Sequence, residues 1–244
     1  MATEAKLQKA ADLFSAKMRA RRALSDHERN LFARLPSRVT THQPDEILVE
    51  TGDSLSESLF VVEGFAARFK DLSDGRRQVL ELNVPGDFID LHGYVLPRID
   101  HSIMTLTPAT IAHVPHAAIA EAVEEIPHLG FVFWFQTALD AAIHREWVLS
   151  LGQRSAVGRM AHFFCEMKTR LGAVGLADDH EFDLPITQNL MSEIIGMTAV
   201  HVSRTLKVLR DTNVVTFKGG KVRIHDWHAL AEQAEFDPTY LNLG

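Results

Sequence analysis

The chain has 244 residues, of which 46% are hydrophobic and 23% charged, with a net charge of −7 and a single cysteine. This is the balance of an ordinary globular protein with room for two domains. It excludes an intramolecular disulfide and any all-cysteine metal or iron–sulfur site, and it argues against a general polyanion binder.

The opening MATEAKLQKA is polar, so no secretory leader is expected. The longest apolar run, Phe131 to Phe135, is far too short for a bilayer span. Cytoplasm, with no membrane partner, is the expectation. Residues 5–22 predict an amphipathic helix with Leu7, Ala10, Leu13, Phe14 and Met18 on one side. Lys17, Arg19, Arg21 and Arg22 read as a solvated basic face. Ser25-Asp26-His27-Glu28 is a capping box opening a second helix, which Pro36 is expected to end.

Residues 38–115 change character. Short β-prone runs follow one another: Ile47–Val49, Leu59–Val62, Ala66–Phe69, Gln78–Leu82, Phe88–Leu91, Ile103–Leu106 and Ile111–Val114. Turn residues separate them, including Glu63-Gly64, Asp74-Gly75 and Pro85-Gly86-Asp87. This spacing predicts a small β-barrel or jelly-roll-like β-roll. A short helix over His116 to Glu125 follows, and then a long one from Leu129 to Leu151. In the long helix Trp134, Ala138, Ala141, Arg145 and Val148 repeat at heptad-like 4-3-4-3 spacing. Phe131, Phe135, Ala142 and Leu149 form a second apolar stripe. Two apolar sides predict two burial partners: the β-roll, and the same helix of a second subunit. Gly152-Gln153 reads as a hinge, and a helix over Ser155 to Leu171 comes next.

Thr187 to Arg210 predicts two short helices joined at Gly196. Leu190, Met191, Ile194 and Ile195 share one face of the first. Thr198 is placed to cap the second, which turns Val202, Leu206 and Leu209 inward. Ala199, Val200, Ser203, Arg204 and Lys207 are left outside. A helix with small residues, one Arg and one Lys beyond a glycine turn suits a DNA major groove. Val214–Lys218 and Lys221–Ile224 flank Gly219-Gly220 as a hairpin. Thr198 to Arg223 holds six basic residues against Asp211 alone, a net +5 in an acidic chain. Such concentration is the footprint of a nucleic-acid site, with Lys218 and Lys221 placed for phosphates. Asp226 caps a last helix, stopped at Phe236-Asp237-Pro238.

This order of β-roll, long helix and winged helix-turn-helix resembles the Crp/Fnr family of bacterial transcription regulators over nearly the whole chain. The carriers are Ile186-Thr187-Gln188, Gly196, Val202-Ser203-Arg204-Thr205-Leu206, Val62-Glu63-Gly64, Asp74-Gly75-Arg76 and Pro85-Gly86-Asp87-Phe88. Stretches such as Asp90-Leu91-His92-Gly93 and Ile143-His144-Arg145-Glu146-Trp147 are similar to an α-proteobacterial group of that family. The resemblance implies an α+β fold: an effector β-roll with its N-terminal helices in 1–128, a dimerisation helix in 129–152 and a winged helix-turn-helix domain in 153–244. It implies a homodimer on a palindromic double-stranded DNA site, with RNA polymerase as a further partner. Thr187, Gln188, Thr198, Ala199, Val200, Ser203, Arg204, Lys207, Lys218 and Lys221 are the expected DNA contacts, and Arg204 matches the family's base-reading arginine. Where the family commonly has a glutamate, this chain has Val200. A glutamate accepts from cytosine N4, whereas valine only touches a thymine methyl, so a different preferred site is expected.

Asp90, His92, Arg98, His101 and Ser102 fall near the family's ligand cassette and are the candidate effector pocket; an inert packed roll is the competing reading. The cyclic-AMP-binding members carry an Arg-Ser pair where this chain reads Arg98-Ile99-Asp100-His101-Ser102, which argues against cyclic AMP. Arg68, Arg76 or Arg77 could substitute for the missing arginine. His92, His101, His113 and His116 are spaced unlike a compact metal motif, so neither a metal nor haem is expected. Cys165, in Phe163-Phe164-Cys165, reads as a buried structural thiol rather than a redox sensor. His144 and Arg145 could couple the pocket to the dimer seam. Two other readings stay open: a metal-dependent enzyme on a cupin-like β-barrel, and a DNA-binding regulator with no small-molecule effector. No nucleophile elbow or P-loop favours the enzyme, and no cofactor is expected.

Overall fold

The structure is a computed structural model that describes residues 2–18 and 24–243. Helix α1 spans Ala2–Met18 and α2 spans Asp26–Phe32. The predicted capping box forms: the Ser25 hydroxyl accepts from the Glu28 amide while the Glu28 carboxylate accepts from Ser25. Two expectations shift here. Helix α2 ends at Phe32, four residues before Pro36, and Lys17 is no solvated cation, since its ammonium lies 2.5 Å from Asp87 and is largely buried. Arg19, Arg21 and Arg22 lie outside the described residues.

The strands are β1 (Arg38–His42), β2 (Ile47–Val49), β3 (Glu57–Glu63), β4 (Ala66–Asp71), β5 (Arg77–Asn83), β6 (Ser102–Thr105) and β7 (Ala109–Pro115). They form two antiparallel sheets, ordered β1-β7-β3 and β2-β6-β4-β5. Val49, Leu59, Val61, Ile89, Ile103 and Ile111 belong to one buried cluster drawn from both sheets. Strand β1 escaped the sequence reading because Arg38-Val-Thr-Thr-His42 carries one aliphatic residue; it is held by five register pairs with β7. Phe88–Leu91 is not a strand. Phe88 makes one isolated bridge to Phe60 and the chain turns into a 3-10 helix at Leu91–Tyr94, because Phe88 is drawn into an aromatic cluster with Phe14, Phe60 and Phe133.

After α3 (His116–Glu125), Pro127 does not only end one helix. It occupies the first turn of α4 (Pro127–Gln153), where its missing N–H costs nothing. Helix α4 buries Leu129, Val132, Phe133, Gln136, Leu139, Ile143, Trp147 and Ser150. This inward stripe is neither of the two expected. The Phe131/Phe135/Ala142/Leu149 stripe is only half-buried or exposed, while the heptad seam faces outward. The helix breaks at Arg154, whose backbone is extended, and not at Gly152-Gln153, which are its last helical residues.

The C-terminal unit contains α5 (Ala156–Ala173), β8 (Glu181–Asp183), α6 (Gln188–Ile195), α7 (Ala199–Asp211), β9 (Val215–Lys218), β10 (Lys221–Ile224) and α8 (Trp227–Ala234). Strand β8 was not foreseen; it pairs with β10 and makes the wing a three-stranded sheet. One hydrophobic cluster runs without a break from Phe69, Val79 and Leu82 of the roll through Leu139 and Ile143 to Met191 and Leu209. The roll and the C-terminal unit therefore share a core.

Candidate nucleic-acid interface and effector cavity

Both helices of the C-terminal pair are capped by threonine. Thr187 accepts from the Leu190 amide at 3.1 Å and Thr198 from the His201 amide at 3.2 Å. Between them Gly196 adopts φ +62°. The left-handed backbone favours glycine, and a Cβ there would lie 2.9 Å from Leu151 Cδ2, so a larger residue would also have to push that side-chain end aside. Helix α7 buries Val202, Thr205, Leu206 and Leu209. Val200, Ser203, Arg204 and Lys207 are exposed on its other side and Ala199 is half-buried. Val200 is 62% exposed, an apolar side chain presented to solvent. Thr187, Gln188 and Thr198 are exposed at the helix starts, and so is His201, which sequence reasoning passed over. Among the described residues Arg204 has no ion pair, whereas Lys207 reaches Asp211 at 3.3 Å.

In the wing, Lys218 and Lys221 are cross-strand partners around Gly219 and Gly220, both at positive φ, the geometry of a tight hairpin turn. The expected net +5 is reduced in space. Lys221 lies 3.1 Å from Glu181 and 3.5 Å from Asp183, and Arg223 lies 2.9 Å from Glu181. Both acids stand on β8, outside the window in which charge was counted. Lys218 keeps no such partner among the described residues.

Between the roll and α4 lies an open cavity of about 300 Å³, lined by Arg68, Leu80, His92, Asp100, His101, Thr137, Asp140, Ala141 and His144. Arg68 is fully buried and donates to Glu81 at 2.8 Å, to Asp140 at 2.9 Å and to the Ile89 carbonyl. The His92 and His101 rings lie 5.1 Å apart. Burial, reinforced by Arg68, pushes His92 down to about 3 and holds it neutral. His101 Nδ1 pairs with Asp100 at 3.1 Å, leaving its buried Nε2 without a partner among the described residues. Lys70 and His101 together hold Asp100 down at about 2.

The five predicted pocket residues do not converge. His92 and His101 line the cavity. Asp90 does not: it is buried inside the roll, where one oxygen accepts from the Leu59 amide at 2.6 Å, and burial raises it to about 7. Arg98 turns away to donate to the Gly52 carbonyl at 2.8 Å, and the Ser102 hydroxyl contacts Thr51 and Glu50. Arg76 and Arg77 are paired with Asp74 and Asp71. Arg68, which the sequence offers only as a substitute, is the guanidinium that lines the cavity. Asp140 and Thr137 went unread because their residue types on a helix suggest a solvated face. Among the described residues no three His, Cys, Asp or Glu side chains are grouped to hold a metal. Cys165 is buried, which pushes its thiol up to about 12.

The heptad seam lies beside this cavity. Trp134, Ala138, Ala141, Arg145 and Val148 are all exposed, Trp134 and Val148 each at 71%. Ala141 borders both seam and cavity, and His144 of the cavity precedes Arg145 of the seam.

Residues 39–125 match the family described as the cyclic nucleotide-binding domain, and residues 158–233 match the Crp-like helix-turn-helix domain. The chain is 29% identical over 203 residues to the transcriptional activator protein FnrL of Cereibacter sphaeroides, covering 81% of this chain and 80% of FnrL. It is 28% identical over 166 residues to the nitrogen fixation regulation protein FixK of Bradyrhizobium diazoefficiens, covering 68% and 69%. Among solved structures, FixK2 from Bradyrhizobium japonicum superposes with a TM-score of 0.72 at 24% identity, covering 80% of this chain and 96% of that one. A cAMP-binding regulatory protein, so described as putative, from Silicibacter pomeroyi gives 0.63 at 19% identity, covering 94% and 99%.

Proposed function

The chain belongs to the Crp/Fnr family of transcription regulators, and on that premise we propose that it binds a palindromic operator as a homodimer, under control of a signal received at the β-roll. The observation that carries the reading is the outer face of α7. Arg204 stands there exposed and, among the described residues, without an ion pair, one helical turn from Val200 and beside Ser203 and Lys207. An arginine in that state is ready to donate two hydrogen bonds to guanine O6 and N7, and Val200 offers only apolar contact to a thymine methyl. Thr187, Gln188, Thr198 and Ala199 border that face, and Lys218 and Lys221 supply the wing's contacts to the backbone.

In this reading 1–128 is the sensing unit, 129–152 the dimer helix and 153–244 the DNA-binding unit. The exposed seam Trp134, Ala138, Ala141, Arg145 and Val148 is the dimer contact, since a two-fold operator matches a two-fold protein. The effector site is the cavity of Arg68, His92, His101, Asp140 and His144, and cyclic AMP is not its ligand. RNA polymerase is the proposed partner at promoters, no catalytic step is assigned, and the cytoplasm is the proposed location. No described helix is long and apolar enough to cross a membrane. Selection of bound sequences from a random DNA pool tests the proposal: a palindrome should emerge, and its enrichment should vanish with Arg204→Ala. Recovery of no preferred sequence would refute it.

A further inference from the structure

Helix α6 has eight residues, and its last carbonyls have no helical partner of their own. Three of them are taken by side chains from outside the helix. Gln78 Nε2, on β5 of the roll, donates to the Glu193 carbonyl at 2.8 Å and to the Ile194 carbonyl at 3.2 Å. Arg159 Nη1, on α5, donates to the Ile195 carbonyl at 2.8 Å. The same guanidinium grips the end of α4, donating to the Ser150 carbonyl at 3.1 Å and the Leu151 carbonyl at 2.8 Å. Leu151 is also the side chain that abuts Gly196, the residue at which α6 turns into α7.

Thus the roll, the end of the long helix and the DNA-facing pair meet at one helix C-terminus. Strand β5, which supplies Gln78, also supplies Leu80 to the cavity wall and Glu81 to Arg68. We propose that Gln78 and Arg159 are positioning residues for DNA recognition: together they fix α6, and through Gly196 the recognition helix α7, to the cavity-lining strand and to the dimer helix. The inference rests on the DNA-binding reading above for its function, but the clamp itself is a matter of geometry. The charge of Arg159 adds to its hold, because a cation at a helix C-terminus meets the negative end of the helix dipole. The outer face of α7 stays exposed in this arrangement, so the clamped pose is one in which DNA can be engaged.

The test uses the full chain. Gln78→Met keeps the side chain's bulk and removes its donors; Arg159→Gln removes the two-helix grip. Each should lower affinity for the selected operator about tenfold, the size of a typical coupling between sites, while binding to random DNA stays unchanged. A purely structural loss would lower melting temperature and both affinities together. Because Cys165 is buried, a pair of spin labels can be placed at Asp74→Cys on the roll and Thr212→Cys after α7. In the DNA-free protein their distance distribution should broaden in the Gln78→Met background. An unchanged distribution, or an unchanged operator affinity, overturns the clamp. If the parent chain itself selects no sequence, the DNA-binding reading fails instead, and the label distances still decide the clamp.

Discussion

Trp147 donates its indole N–H to both carboxylate oxygens of Glu166, at 3.1 and 3.0 Å. The contact ties the long helix α4 to the first helix of the DNA-binding unit. Glu166 is fully buried and also accepts from Arg170 at 3.0 Å and from the Tyr240 hydroxyl at 2.8 Å. Arg170 in turn reaches Asp87 of the roll at 2.7 Å, and Asp87 also holds Lys17 of α1. Burial alone would raise Asp87, but Lys17 and Arg170 together keep it below the usual carboxylate range. Glu166→Ala removes the acceptor of Trp147 and Tyr240 and breaks the buried pair with Arg170, so it should cost about 3–5 kcal/mol, the range for breaking a buried ion pair. Glu166→Gln, which keeps an acceptor, should cost less. Chemical denaturation of the two variants checks the order, and equal losses would contradict it.

His162 makes the stability of the fold depend on pH. It is 2% exposed, packed against the rings of Phe236 and Tyr240, and burial together with Arg154 holds it down to about 3. The unfolded chain takes up this proton near 6.5. Its contribution is therefore fully present above 6.5 and is lost as pH falls toward 3, by about 1.4 kcal/mol per pH unit. Asp90, raised to about 7 in the fold, acts in the opposite sense over part of that window, so the parent's total stability can look flat. The difference between parent and His162→Phe isolates the histidine. The phenylalanine variant should gain on the parent between pH 7 and pH 5.5, and a pH-independent difference would exclude a neutral buried imidazole.

Much of this was legible in the residues because local rules and the fold agreed. Ser25, Thr198, Gly196 and Asp226 sit where capping and turn chemistry place them, and their hydrogen bonds are local. What stayed hidden depends on neighbours distant in sequence. Strand β8 exists because Phe182 pairs with Val222, forty residues on. Lys17 is buried because Asp87 faces it. Arg98 was read as near a ligand because of its place in sequence, and a turn carried it to Gly52. Arg68, the centre of the cavity, sits in Ala66-Ala67-Arg68-Phe69, and a lone arginine in an apolar strand was the available sign. The inward stripe of α4 was missed because three faces of that helix carry apolar residues, and periodicity cannot choose among three.

The wing separates two lysines that sequence treats alike. Lys218 has no acidic partner among the described residues, whereas Lys221 is shared by Glu181 and Asp183. Lys218→Ala should weaken all DNA binding and reduce the dependence of log K on log salt by about one unit. Lys221→Ala should do less, since its charge is already compensated. Arg204→Ala should cost about 1–3 kcal/mol at the operator and relax one base pair per half-site. Titrations at several salt concentrations distinguish the three, and equal salt slopes for both lysine variants would refute the assignment.

The seam on α4 predicts an oligomeric state. Ala138→Glu sets a carboxylate in the middle of the proposed contact, between Trp134 and Ala141, and burying an unpaired charge is costly. Because Ala138 is exposed in the single chain, the variant should keep its fold and melting cooperativity. Sedimentation should show a dimer for the parent and a monomer for the variant at micromolar concentration. A monomeric parent would remove the dimer from the mechanism.

Cyclic AMP should not stabilise this protein. A cyclic phosphate needs a charged fork, and the arginine nearest the expected place, Arg98, is spent on the Gly52 carbonyl at the surface. The cavity's own guanidinium, Arg68, is already held by Glu81 and Asp140. Freeing it for a phosphate would take the counter-charge from the buried Glu81 and the half-buried Asp140, and burial already raises Glu81 despite the arginine beside it. The walls add Asp100 and Asp140, and His92 stays neutral, so no net positive field is available. A ligand present at about 100 times its dissociation constant stabilises a fold by roughly 2.7 kcal/mol, a shift that a melting curve resolves. Melting temperature with excess cyclic AMP should equal that without it. A clear rise, abolished by Arg68→Ala and accompanied by tighter operator binding, would show that Arg68 exchanges its carboxylates for the phosphate.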